Sequence, residues 1–242
     1  MAGENNVKPP LLLLFPKRSD CVYTSCFCEE NVWKLCQDIE NRHPTELKYC
    51  HVAFVSNQNR TVPLWRQLSS KEENKMVVWD YHVILIYAPD DRAVVYDLDS
   101  ELPFPTFFWK YAMETFRRDE ALSPKFHRKF RVVSASDYLR TFASNRQHMK
   151  RKDGTWIKTP PDYPPICTPT YPDNLDSFIE MNPDTGIGKI MTLNQLFARF
   201  YREPNPPIVQ ISQQPAQQPT AQQNVVQQQG PIQPALSKPT SK

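Results

Sequence analysis

No run of apolar residues in this chain approaches the roughly 18 that a membrane-crossing helix needs. The N-terminal LLLLF at residues 11–15 offers five, short of the about 7–15 of a secretory signal core, and no small-residue cleavage site follows it. The expectation is a soluble intracellular protein, cytoplasmic or nuclear, with no membrane partner. In that compartment its six cysteines should be mostly reduced. A dominant charge is missing too: 29 Lys and Arg against 26 Asp and Glu leave a net charge of +3. There is no basic stripe, RNP-like aromatic motif or zinc-finger spacing, so nothing points to nucleic acid. The local basic run of Lys125, His127, Arg128, Lys129 and Arg131 is interrupted by Phe126, Phe130, Val132 and Val133. It reads as a strand with a solvated face. Aromatic residues stop at Tyr201, and the Gln/Pro-rich stretch 203–242 cannot bury enough apolar surface to offset its ordering entropy. It reads as a disordered tail. Internal repeats are absent.

What remains is a folded unit over 18–202 behind an N-terminal extension, 1–17. With 40% hydrophobic and 12% aromatic residues overall, the chain can build a real core. In EENVWKLCQDIENR, Val32, Cys36 and Ile39 fall at i, i+4 and i+7 beside Leu35 and Trp33. That stripe predicts an amphipathic helix, opened by two carboxylates where the macrodipole favours them. Strands are expected at 51–56, 61–65, 76–88 and 93–100, paired as two antiparallel hairpins. A helix over 106–117, a strand at 129–134 and a helix near 136–143 follow. The proline-rich 158–173 is loop. Thr192 with Gln195 forms a capping-box pattern before a last short helix. The fold class is α+β, a central antiparallel sheet flanked by helices in one domain.

Three cysteines lie within eight positions, at 21, 26 and 28. Structural zinc wants C-x₂₋₄-C and a second pair. Here Cys26-x-Cys28 is too tight, Cys21 and Cys26 lack a partner pair downstream, and no metal is expected. A disulfide is disfavoured by a reducing compartment, although the spacing allows oxidative capture of Cys28 by a neighbour. Buried packing suits Cys36 on the helix face. Cys28 differs because it sits at or just before a helix N-terminus. There the dipole and free amides stabilise thiolate and can bind an oxyanion.

A nucleophile needs a base and a group to orient it. His82 lies in VVWDYHVILI, and the following strand carries Asp97 and Asp99. A two-residue loop at Pro89-Asp90 sets His82 opposite Asp97. A four-residue loop over 89–92 sets it opposite Asp99, with Asp97 diagonal. Either loop keeps His82 and Asp97 on one face, and the pattern alone does not choose between the two carboxylates. Cysteine at a helix start, histidine on a strand and aspartate on the next is the order of papain-like and transglutaminase-like cysteine enzymes, which transfer acyl groups.

The stretches CVYTSCFCEENVWKLC (21–36), WDYHV (79–83), YDLDSELPFP (96–105), FHRKFRVV (126–133), YLRTFASNRQHMK (138–150) and the PPDYP loop (160–164) together carry a specific resemblance. Over roughly residues 18–201 the chain resembles the protein N-terminal glutamine amidohydrolase family. The resemblance implies a monomeric enzyme without cofactor that converts N-terminal glutamine of proteins or peptides to glutamate and releases ammonia. It implies that the product passes to an arginyltransferase in the arginine branch of the N-degron pathway. It puts the catalytic cysteine on Cys28, the histidine on His82 and the aspartate on Asp97, reached through a thioester. An N-terminal substrate also needs an acceptor for its α-ammonium, and Thr24, Ser25, Asp80 and Tyr81 neighbour the catalytic groups in sequence. Two rival readings stand beside this one. One is another cysteine hydrolase of the same architecture, a protease or transglutaminase. The other is a non-catalytic interaction module, since Pro160-Pro161-Asp162-Tyr163 fits the PPxY pattern that WW domains bind.

Overall fold

The computed structural model describes residues 9–202. The first eight residues, and the tail expected over 203–242, lie outside them. Among the described residues there are eight strands and five α-helices, with the first six strands running consecutively between the first and second helices. Six strands form one antiparallel sheet in the order β6-β5-β4-β1-β7-β8: β6 Thr106–Phe107, β5 Val94–Tyr96, β4 His82–Tyr87, β1 Cys50–Ser56, β7 Lys129–Ser134 and β8 Lys189–Thr192. Alternate side chains of the central strands feed two cores. Val52, Phe54, Val83, Leu85 and Val133 pack with α1 (Cys28–Arg42), α3 (Ala135–Thr141) and α4 (Leu175–Ile179). Ala53, Val55, Ile84, Ile86 and Val132 pack with α2 (Phe108–Tyr111) and α5 (Leu193–Phe200). The fold is therefore α+β with helices on both faces of an antiparallel sheet. Leu14 and Phe15, in the segment read as an extension, are buried in the first core, and the Leu14 amide donates to Tyr96 Oη at 3.0 Å.

Helix α1 follows its apolar stripe, burying Val32, Leu35, Cys36 and Ile39. Helix α5 carries the expected capping box: the Gln195 amide donates to Thr192 Oγ1 at 3.3 Å, and the Thr192 amide to Gln195 Oε1 at 2.9 Å. The second hairpin takes the register of the four-residue loop, with Leu85 opposite Tyr96 and Tyr87 opposite Val94.

Elsewhere the tertiary structure overrides the local pattern. HVAFVS does not form a hairpin with TVPLW. Apart from half-buried His51, β1 is buried throughout, which marks a central strand, and it pairs with β4 and β7. Strand β2 (Val62–Leu64) pairs instead with β3 (Val77–Trp79) in a second, two-stranded sheet. The single strand expected over 76–88 is thus broken at Asp80-Tyr81, where the Asp80 carbonyl accepts from Ser56 Oγ at 2.7 Å. The helix expected over 106–117 is also remade. Thr106–Phe107 add an edge strand, four residues form α2, and 112–116 form a π-turn. That wide turn keeps Tyr111 and Phe116 both buried in edge-on contact, their ring centroids 5.2 Å apart. Gly188 is at φ +85°, and a Cβ there would lie 2.6 Å from the Val132 carbonyl oxygen, so β8 can approach β7 only through glycine.

The basic run is not a solvated face. Lys125 and Lys129 are exposed, but Arg128 and Arg131 are each 1% exposed. Arg128 pairs with Asp119 and donates to the Pro63 carbonyl at 3.1 Å. Arg131 donates to the carbonyls of Thr185 and Ile187, both at 2.9 Å, and to that of Glu180. It holds an irregular segment onto the sheet by satisfying buried acceptors that would otherwise be orphaned. Replacing Arg131 with Leu is expected to cost on the order of 3 kcal/mol of unfolding free energy, while Lys129→Leu changes it by less than about 0.5 kcal/mol. Urea titrations of both variants check this, and equal midpoints would count against the assignment.

Candidate active site

The segment before α1 is held by one side chain. The Asn31 carboxamide accepts from the Thr24 amide and donates to the Thr24 carbonyl, both at 2.8 Å. Between them Cys26 takes a left-handed φ of 68°. This clasp starts the helix at Cys28 without a side-chain N-cap and aims its sulfur at the start of β4. The Val83 amide lies against that sulfur and draws its pKa down, but other forces win. Burial first, then the charges of Glu29 and Asp99, push the Cys28 thiol well above the ordinary value. The helix-terminus argument for a stabilised thiolate therefore fails here. The helix start is sunk into the protein, with Cys28 8% exposed, and the charges nearest it are negative.

His82, next to Val83, is fully buried beneath the Trp79 ring, with centroids 5.5 Å apart and planes 19° apart. Its Nε2 meets Asp97 Oδ1 at 3.0 Å. Asp97 Oδ1 also accepts from the Asp99 amide at 2.9 Å, and its Oδ2 accepts from Tyr111 Oη at 2.7 Å. Asp99 is committed elsewhere, its Oδ1 accepting from Tyr23 Oη at 2.7 Å. The structure thus gives His82 to Asp97 where the sequence pattern left two candidates. Burial disfavours the Asp97 charge, yet His82 and the donors around it hold its pKa below the ordinary carboxylate value. Burial likewise opposes the imidazolium, and Asp97 outweighs it, so the His82 pKa is raised. The second ring nitrogen, Nδ1, is buried without a hydrogen-bond partner.

A cleft of about 220 Å³ opens over the sulfur. Cys26, Cys28, Trp79, Asp80, Tyr81 and Asp99 line one side, and His148, Met149, Ile157 and Lys158 complete it. Two larger hollows, about 500 and 520 Å³, lie elsewhere and contain no cysteine. Of the four residues expected to contact substrate, the cleft brings in Asp80 and Tyr81. Thr24 and Ser25 are not among its lining residues, and the Thr24 backbone is spent on Asn31. Cys21 lines a different hollow from Cys26 and Cys28, and all six cysteines are free. Among the described residues, His82, Asp97 and Asp99 have ligating atoms within 4.8 Å of one another and could hold a cation. Both Asp97 oxygens are already taken by His82, Tyr111 and the Asp99 amide. The PPxY tyrosine is half-buried against the core, with Lys34 Nζ 4.3 Å from its ring centroid, and the Tyr163 carbonyl accepts from Arg146 at 2.9 Å. A WW ligand needs that tyrosine free.

A sequence profile of N-terminal glutamine amidases matches residues 23–200. The chain belongs to that family. It is 51% identical over 193 residues to the protein N-terminal glutamine amidohydrolase of Drosophila willistoni, covering 79% of this chain and 94% of the relative. The proteins of the same name from Drosophila mojavensis and Drosophila melanogaster match with the same identity and coverage. Family membership makes the chain an amidase, so the cleft lined by a buried cysteine, whose sulfur meets the amide next to the His82–Asp97 pair, is where its chemistry should be sought.

Sequence reasoning missed Glu29, Tyr111 and His148. Tyr111 and His148 reach the site only through long-range packing and leave no local signal. The acidic pair after Cys28 was visible, but reading it as dipole compensation hid that Glu29 and Glu30 are fully buried. Glu30 receives both Nε and a terminal nitrogen of Arg146 at 2.7 Å. Glu29 has no such partner, and burial raises its pKa from 4.5 to about 7. Between those two values the fold keeps a proton the unfolded chain has lost, so the contribution of Glu29 to stability falls as pH rises. Glu29→Gln cannot lose that proton. Relative to wild type, the variant should gain roughly 3 kcal/mol between pH 4 and pH 8, at about 1.4 kcal/mol per unit. Urea unfolding at both pH values measures this, and parallel pH profiles would exclude it.

Proposed function

We propose that the protein hydrolyses the side-chain amide of an N-terminal glutamine, yielding N-terminal glutamate and ammonia, with Cys28, His82 and Asp97 as its catalytic triad. Family membership supports the reaction, and one observation supports the residues: Cys28 opens α1 beside the residue that follows His82, whose other neighbour is Asp97. The papain- and transglutaminase-like kinship suggested by the chain order belongs to the same reading.

Because the resting thiol is protonated, the cycle starts with proton transfer from Cys28 to the free Nδ1 of neutral His82. The thiolate attacks the carboxamide carbon, and first-turn amides of α1 receive the developing oxyanion. The imidazolium returns its proton to the departing nitrogen, releasing ammonia and leaving a thioester. Water, deprotonated by the same nitrogen, then attacks the thioester, freeing glutamate and the thiol. Asp97, held by Tyr111 and the Asp99 amide, fixes the imidazole orientation and stabilises its cation. The cleft volume of about 220 Å³ is below the 300–1,000 Å³ of sites for drug-sized ligands, in keeping with a single side chain as its occupant. The product would be the substrate of an arginyltransferase, the next step of the pathway the resemblance implies.

Ammonia release from matched peptides tests the reading. Peptides with N-terminal Gln should react, those with N-terminal Asn or with Gln at position two should not, and Cys28→Ala should abolish the activity. Cleavage or exchange of internal amides would favour a protease or transglutaminase instead. The aspartate makes a separate prediction. Neutral His82 is the base, so the rate should rise with pH through the raised His82 pKa. Asp97→Asn removes the charge that raises it and should shift that acidic limb to lower pH, with kcat falling about 10⁴-fold. A limb that stays in place would remove Asp97 from the assigned role.

A further inference from the structure

Two adjacent carboxylates follow the nucleophile, both 0% exposed, and only one has a cation. Glu30 is neutralised by the two-pronged contact with Arg146. Glu29 Oε2 accepts from Tyr81 Oη at 2.9 Å and lies 3.7 Å from Cys28 Sγ, while its Oε1 has no hydrogen-bond partner. His148 Nε2 stands 3.6 Å from that oxygen, but burial lowers the His148 pKa, leaving the ring neutral near pH 7. A buried carboxylate without a resident cation is costly. In its ionised form, which the raised pKa of about 7 leaves as only part of the population near neutrality, it is also adverse to catalysis, because that charge opposes thiolate formation at Cys28. Three of the groups around it, Cys28, Tyr81 and His148, line the cleft, and the His148 side chain is 31% exposed at the mouth.

The arrangement makes physical sense if the missing cation arrives with the substrate. We propose that Glu29 is the receptor for the α-ammonium of the N-terminal residue, and that this ammonium neutralises the carboxylate lying beside the Cys28 sulfur. The inference rests on the deamidase reading and adds a residue to it. Four bonds of about 1.5 Å separate the α-nitrogen of glutamine from its side-chain amide carbon. One end can therefore meet Glu29 while the other meets a sulfur 3.7 Å from that carboxylate. A glutamine inside a chain presents a neutral amide at this point. It would leave the buried charge unpaired and the thiol unactivated, so selection for the chain terminus and activation of the nucleophile become one event.

The test uses the full chain and two peptides that differ only at the terminus, one with N-terminal Gln and one whose α-amino group is replaced by hydrogen. Wild type should process the uncharged peptide at least about 100-fold less efficiently in kcat/KM. In Glu29→Gln that ratio should shrink to under about 10-fold, mainly through loss of activity on the charged peptide. Without peptide, iodoacetamide should alkylate Cys28 several-fold faster in the variant than in wild type, since the opposing charge is gone. Equal wild-type rates on the two peptides would overturn the proposal while leaving the deamidase reading intact, and this arm needs no variant. A folded Glu29→Gln protein with undiminished discrimination, or with unchanged alkylation, would overturn it as well. No ammonia from the Gln peptide in wild type would instead remove the reading on which it rests.

Discussion

The buried contact between Arg146 and Glu30 fixes the geometry of the cleft. Arg146, in a left-handed conformation at φ 60°, reaches from an irregular stretch into the first turn of α1. There it binds both Glu30 oxygens and also donates to the Pro161 and Tyr163 carbonyls. One guanidinium thus ties a proline-rich segment, which cannot make a backbone ladder of its own, to the helix that starts with Cys28. It also sets the wall carrying His148 and Met149, two and three residues further on. Such a pair repays its desolvation only when geometry is good and the remaining donors are satisfied, and here carbonyls take the donors Glu30 leaves. Strand β4 supplies His82, Asp97 follows directly on the end of β5, and the ion pair supplies the opposite side.

Electrostatically, the site is built around proton transfer more than around a preformed anion. The charged neighbours that most perturb Cys28 are acidic: Glu29, Asp99 and Asp80. Asp97 most strongly, and then Asp99 and Glu29, favour His82 as a cation. The environment therefore favours protonated His82 and disfavours thiolate at Cys28, which in the proposed mechanism places the burden of activation on the moment when substrate is present.

The elements that were legible in the sequence are those with local grammar. Helix α1 showed its stripe at Val32, Cys36 and Ile39, the β4–β5 hairpin its loop, and α5 its Thr192–Gln195 box. The candidate nucleophile was legible because a helix start leaves a sequence trace. Register narrowed the partner of His82 to two carboxylates, and only the three-dimensional fold separated them, by handing Asp99 to Tyr23 and Asp97 to His82 and Tyr111. The failures share a cause. Whether β1 pairs with β2 or β4, whether Arg131 points to water or to four loop carbonyls, and whether Glu29 is solvated all depend on contacts between distant segments. A charge run on an alternating strand looks the same in both cases.

Keeping Cys28 protonated also affects its survival. Peroxide and electrophiles react with thiolate and hardly at all with a buried thiol. A cysteine sunk to 8% exposure among carboxylates is chemically quiet at rest, even with Cys26 sharing its cleft. Burial and acidic surroundings thus act as an antioxidant shield for Cys28, and oxidation would reach the more open cysteines, such as exposed Cys167, before it reached the proposed nucleophile.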